Sequence, residues 1–165
     1  MKVKSIFIIL FILCSSRLLA QETSITEEKL VGEWNYIKAV DKKNKERKYM
    51  YRIFPNGYKM GFITSGPKII INSNGTYLKK FPKETLKGNW KIISKNEIEY
   101  EEVVPIGSMS EEMITQIQRF SNKKWAKDEN GNFLDPYTCK IILLTNTEMR
   151  VMDEEDCIFI YKKDM

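Results

Sequence analysis

Two Gly-x-Trp segments do most to limit what this chain can fold into. Leu30-Val31-Gly32-Glu33-Trp34 opens the first strand-like stretch, and Leu86-Lys87-Gly88-Asn89-Trp90 repeats its outline further along. From Val31 onward residues alternate in character. Gly32, Trp34, Tyr36 and Lys38 share one face, while Glu33, Asn35, Ile37 and Ala39 share the other. A period of two is the sign of a strand with one buried face.

Short runs of the same kind follow, each ended by turn chemistry. Strands are expected over 49–54, 58–63, 68–72, 76–81, 86–94, 97–104, 138–144, 148–152 and 157–162. Pro55-Asn56-Gly57-Tyr58 and Asn72-Ser73-Asn74-Gly75 carry Asn-Gly pairs, which accept the positive φ angles of tight hairpins. In the 97–104 strand, Ile98, Tyr100 and Glu102 share a face, and Glu97, Glu99 and Glu101 point the other way. One segment breaks the pattern. Ser108-Met109-Ser110-Glu111 reads as a capping box, and Met109, Met113, Ile117 and Phe120 recur at helical spacing. They predict an amphipathic helix over 109–121 that packs this stripe on the sheet, with a lid over a binding cavity as the alternative. Residues 125–137 read as irregular, with Asn130-Gly131 and Asp135-Pro136 as turn signals and Trp125 to Asn132 as a candidate hairpin tip.

The N-terminus has the three parts of a secretory signal peptide: the positive Met1-Lys2-Val3-Lys4, the apolar run Ile6 to Leu13, and Leu18-Leu19-Ala20 before Gln21. The apolar run is too short for a bilayer anchor. Residues 1–20 are therefore expected to be removed, leaving a lead-in over 21–29, one domain over 30–165 and no transmembrane anchor. The exported product would be periplasmic or secreted. The rival reading is a lipoprotein anchored through Cys14, although Leu13 stands where that motif wants Gly or Ala. Removing residues 1–20 lowers the formal charge from +5 to +2, with 24 basic and 22 acidic residues remaining. Signs are mixed throughout, so no nucleic-acid partner is expected. The one basic run, Lys42 to Lys48, reads as a solvated hairpin loop.

The chain contains no histidine. That removes Ser-His-Asp and Cys-His catalysis and every His-containing zinc site. No catalytic residue, metal or cofactor is assigned. Asp128, Asn130 and Asn132 have the opening spacing of a calcium loop, but Gly131 is misplaced and Cys139 stands where that loop ends in Glu. The acidic turn Asp153 to Asp156 reads as solvated. Glu99, Glu101 and Glu102 are the remaining enzymatic option, as carboxylate acid/base groups. Cys139 and Cys157 form a disulfide if the compartment is oxidising, or are two small buried hydrophobes.

Gly32-x-Trp34, Gly88-Asn89-Trp90, the hairpin Asn74-Gly75-Thr76-Tyr77 and a mature length of 145 residues resemble the bacterial lipocalin-like domains, over residues 30–162. The resemblance implies an all-β, antiparallel up-and-down barrel of about eight to nine strands. One amphipathic helix falls between late strands, unlike the classical members, whose helix precedes the final strand. It also implies that Trp34 closes one end of the barrel against a basic residue of a late strand. Arg150 is the candidate, and Trp90 packs similarly. The alternation places Tyr36, Ile92, Tyr100, Met149 and Val151 inside, where they line a cavity or fill a solid core. The expected function is binding of a small apolar or amphipathic ligand. The alternative is a non-catalytic module that contacts another protein of the envelope or secretome.

Overall fold

The computed structural model describes residues 24–53, 59–121, 124–152 and 157–164. The expected leader with Cys14 and the turns expected at Pro55–Tyr58 and Asp153–Asp156 lie outside them. In chain order the elements are α1 (Glu27–Leu30), β1 (Gly32–Val40), β2 (Tyr49–Ile53), β3 (Lys59–Ile63), β4 (Lys68–Ile71), β5 (Thr76–Lys80), β6 (Thr85–Ser94), β7 (Glu97–Val104), α2 (Glu111–Ser121), β8 (Ala126–Lys127), β9 (Phe133–Leu144), β10 (Glu148–Met152) and β11 (Ile158–Lys163).

Eight of the strands close a barrel. The ladder runs β1–β4–β5–β6–β7–β9–β10–β11 and returns from β11 to β1, antiparallel at every step. Closure leaves the barrel without a free edge. β8 adds a short extra pairing at the start of β9. β2 and β3 pair only with each other, as a two-stranded sheet apart from the barrel. The Asn72–Gly75 hairpin forms as its chemistry requires. Gly75 adopts φ 80°, and Asn74 Oδ1 accepts hydrogen bonds from the Thr76 backbone N–H and hydroxyl.

One half of the barrel is solid. Leu30, Trp34, Ile71, Ile98, Ile141 and Met149 are all fully buried there, with Ile25 and Leu144 beside them. Alternation along the strands supplies these side chains, with Leu30 from α1 and Ile25 from the segment before it, and apolar burial drives the closure at roughly 25 cal/mol per Å². The indole N–H of Trp34 donates to the Leu30 carbonyl at 2.8 Å, so α1 caps this end.

The cation on Trp34 is Lys163, not Arg150. Lys163 Nζ lies 5.2 Å from the ring centroid and donates to the Lys29 carbonyl at 3.0 Å. Arg150 is on the outer face of β10, where its Nε donates to Glu148 Oε1 at 2.7 Å. The alternation that turns Met149 and Val151 inward turns Arg150 outward. Gly32 accounts for its own identity. It sits at φ 138°, and a Cβ there would run into the Lys163 side chain on its way to Trp34. Gly88 has a different reason: a Cβ would strike the Glu101 carbonyl and the ring of Tyr77. Trp90 is also buried, and its indole N–H donates to the Asn72 carbonyl at 3.0 Å.

Three other expectations change. α2 starts at Glu111, with Ser110 as its cap: Ser110 Oγ accepts the Met113 N–H at 3.2 Å, and Ser108 is turned back on the Pro105 carbonyl. The buried line of the helix is Ile114 and Ile117, packed on Val104, Trp125 and Phe133. Of the predicted stripe, Met109 and Ile117 do pack inward, whereas Met113 is half exposed and Phe120 is 87% exposed; Ile114 completes the buried line instead. The hairpin tip expected over 125–132 forms between β8 and the first part of β9, across Asp128–Asn132, and the rest of the stretch to Tyr137 is β9 rather than irregular. No disulfide joins Cys139 and Cys157. Lys140 and Ile158 both oppose Met152, so the cysteines flank β10 on opposite sides. Two strand spacings, about 10 Å, exceed the reach of a disulfide.

Candidate functional site

The other half of the barrel is hollow. A cavity of about 260 Å³ opens there, between the ends of β4, β5, β7, β9, β10 and β11 and the connection after β3. Ser65, Gly66 and Pro67 form part of its rim, and Val151, Phe159 and Tyr161 form its apolar wall. Gly66 is required at its place, because a Cβ would collide with the Tyr36 ring.

A cluster of tyrosines and one lysine occupies the opposite wall. In β5 the inward face carries Tyr77 and Lys79. Lys79 Nζ donates to the Tyr137 hydroxyl and lies 4.8 and 4.5 Å from the ring centroids of Tyr100 and Tyr137. Tyr100 stacks on Tyr137 at 5.4 Å and meets Tyr77 edge-on at 4.8 Å. A cation above aromatic faces is held by their quadrupoles. Burial pushes the phenols of Tyr77, Tyr100 and Tyr137 above their ordinary range, so all three remain neutral hydrogen-bonding groups at physiological pH. Glu102, on the inward face of β7, opposes Asp135 across the ladder. Burial raises its carboxyl above the usual range, while the charge of Lys79 draws it back down. The acids on the other face are distinct from it. Glu99 pairs with Lys91 at 2.5 Å on the outside.

The five residues expected inside take different places. Tyr100 and Val151 line the cavity. Tyr36 packs against Tyr161 and Phe159 and donates to the Thr64 carbonyl at 3.2 Å, lining instead an outer groove beside the β2–β3 hairpin. Met149 is wholly enclosed in the solid half. Ile92 is not an interior residue: it is 37% exposed, next to the bulge that ends the regular pairing of β6 with β7. Cys139 also lines the cavity, as a thiol. Lys79 was absent from the expectation. The signal for it was the alternation Tyr77, Lys79, Phe81, whose three members all border the interior.

No residue of α2 lines the cavity, so the helix is not its lid. The Asp128 carboxylate is engaged by its own turn, accepting the N–H groups of Asn130 and Asn132 at 2.9 and 2.8 Å and the Asn132 amide at 2.9 Å.

No family model matches the chain, and no curated protein matches it. Among solved structures it is similar to a lipocalin-like protein from Bacteroides uniformis ATCC 8492. The identity is 14% and the TM-score 0.43, over 82% of this chain and 99% of that one. It is also similar to an uncharacterized protein from Bacteroides eggerthii DSM 20697, with 18% identity and a TM-score of 0.36 over 81% and 98% of the two chains. The fold is carried by this chain's own geometry: a closed, eight-stranded antiparallel ladder, plugged at the Trp34 end and hollow at the other, is a lipocalin-like barrel.

Proposed function

We propose that this is an exported, non-catalytic protein that binds a small amphipathic ligand in the hollow half of its barrel. The observation that carries the reading is the cavity itself, with an apolar wall on one side and Lys79 among tyrosine hydroxyls on the other. At about 260 Å³ it falls just below the roughly 300–1,000 Å³ of sites for drug-sized molecules. A ligand of one ring or a short chain fits that space, with its apolar body against Val151, Phe159 and Tyr161 and an anionic or acceptor head toward Lys79. The leader over residues 1–20 supports export. The absence of histidine and the outward position of Glu99 support a binding role over catalysis.

Benzoate and toluene test this together. A ligand that binds only the folded protein stabilises it by about 2.7 kcal/mol at a hundred times its Kd. Benzoate should raise the Tm of the wild-type protein, and Lys79→Met should lose most of that rise while keeping the response to toluene. Val151→Trp, which fills the cavity, should abolish both. If benzoate and toluene leave the Tm and the amide spectrum unchanged at millimolar concentration, the proposal is wrong.

A further inference from the structure

We propose that the β2–β3 hairpin, with the basic loop before it, is a docking surface for an anionic lipid bilayer. β2 and β3 hydrogen-bond to each other and to no barrel strand. The hairpin is tied down at its base, where the Thr64 N–H donates to the Lys48 carbonyl and the Arg47 N–H to the Ala39 carbonyl. An isolated two-stranded hairpin is marginal in water. This one nevertheless turns an apolar face to solvent. Cross-strand pairing of Tyr49 with Ile63 and of Tyr51 with Gly61 puts these side chains on one side. Tyr49 is 57%, Tyr51 49% and Ile63 74% exposed. Ile37 of β1, 51% exposed, continues the patch across the groove it lines with Tyr49 and Ile63.

Charge selects the partner. Between residues 38 and 59 the sequence has eight basic residues and two acidic ones. The rest of residues 21–165 has sixteen basic and twenty acidic. The basic excess of the mature chain is thus confined to the lobe that exposes the aromatic face. Lys59 lies 4.2 Å above the Tyr51 ring, at the patch itself. Tyrosine and aliphatic side chains flanked by Lys38, Lys48 and Lys59 match the headgroup layer of a bilayer, where the rings partition at the boundary and the ammonium groups meet lipid phosphates.

The test uses protein produced with its own leader and purified after export. It is floated with phosphatidylcholine vesicles with or without phosphatidylglycerol. Binding should need phosphatidylglycerol and weaken as salt rises. Lys43→Gln, Lys45→Gln and Lys48→Gln should each weaken it about five-fold. The triple variant Tyr49→Ser, Tyr51→Ser, Ile63→Ser should weaken it at least ten-fold while leaving the circular dichroism spectrum unchanged. A Tyr49→Trp reporter should be quenched by brominated phosphatidylglycerol. Equal binding to both vesicle types, an unquenched reporter, or full binding by the triple variant would overturn the proposal. Competition by heparin together with an unaffected triple variant would overturn it too, in favour of a soluble polyanion.

Discussion

Gly32 and Lys163 are two parts of one device, although 131 positions separate them. Lys163 can lie over Trp34 only because residue 32 has no side chain, and Gly32 also takes a φ of 138° that L residues rarely adopt. Gly32→Ala should therefore cost about 1–3 kcal/mol, the usual range for forced backbone strain. Adding Lys163→Ala should recover the steric part, so urea midpoints should show the double variant to be more stable than the sum of the single changes requires. The glycine and the tryptophan were legible from sequence, because their spacing is local. The cation was not. Alternation along β10 already excluded Arg150, but choosing Lys163 needed the register of β11 against β1. Glu102 makes a second residue-scale case, with a sign fixed by burial. Its carboxyl is raised in the folded protein, so the stability it contributes is fully present below the unfolded pKa and is lost as pH rises through the folded one. Glu102→Gln should leave the Tm unchanged near pH 4 and raise it by a few degrees near pH 7. A variant less stable than wild type at pH 7 would mean that attraction from Lys79 outweighs burial.

Among the elements, strands that end in side-chain-to-backbone turns were readable nearly to the residue, because the turn chemistry is encoded beside them. β4 and β5 around Asn72–Gly75 are the clearest case. β9 was read as starting at Thr138, five residues late, because Asp135-Pro136 looks like a break. Proline survives there because β8 reaches only Leu134 and the β10 pairing starts at Lys140, so this stretch of β9 has a partner on the β7 side alone. The helix misled for another reason. Ile117 was placed inward correctly, but either Met113 and Phe120 or Ile114 can complete an apolar line beside it, and helical period does not choose between them. The barrel wall chooses, by presenting Val104, Trp125 and Phe133 to Ile114. Ile114→Ala should cost about 2–4 kcal/mol, as truncation of a buried aliphatic side chain does. Phe120→Ser should stay within about 0.5 kcal/mol. Chemical denaturation of the two variants separates these lines directly, and a larger loss for Phe120→Ser would reverse the assignment.

For the whole molecule, the barrel divides into a half that holds it together and a half that is left open. The solid half collects the fully buried side chains around Trp34, with α1 drawn over it. The hollow half gives up packing around Lys79 and the tyrosines, where a polar wall needs a satisfied network. This division was partly legible: alternation and turns marked the strands and the family resemblance implied the barrel, while the location of the void depended on contacts among six strands. Cross-linking has no part in it. The ladder closes by hydrogen bonds alone, and β10 holds Cys139 and Cys157 apart. A native disulfide in a domain of this size typically contributes about 2–5 kcal/mol. At about 2–4 °C per kcal/mol, its reduction would lower the Tm visibly. The protein should instead melt at the same temperature with and without dithiothreitol. In denaturant, thiol titration should find both Cys139 and Cys157 reactive, with a third thiol only where Cys14 is retained unmodified. A Tm that drops on reduction, together with thiols that appear only after it, would show that the strands around β10 shift far enough to let the two sulfurs meet.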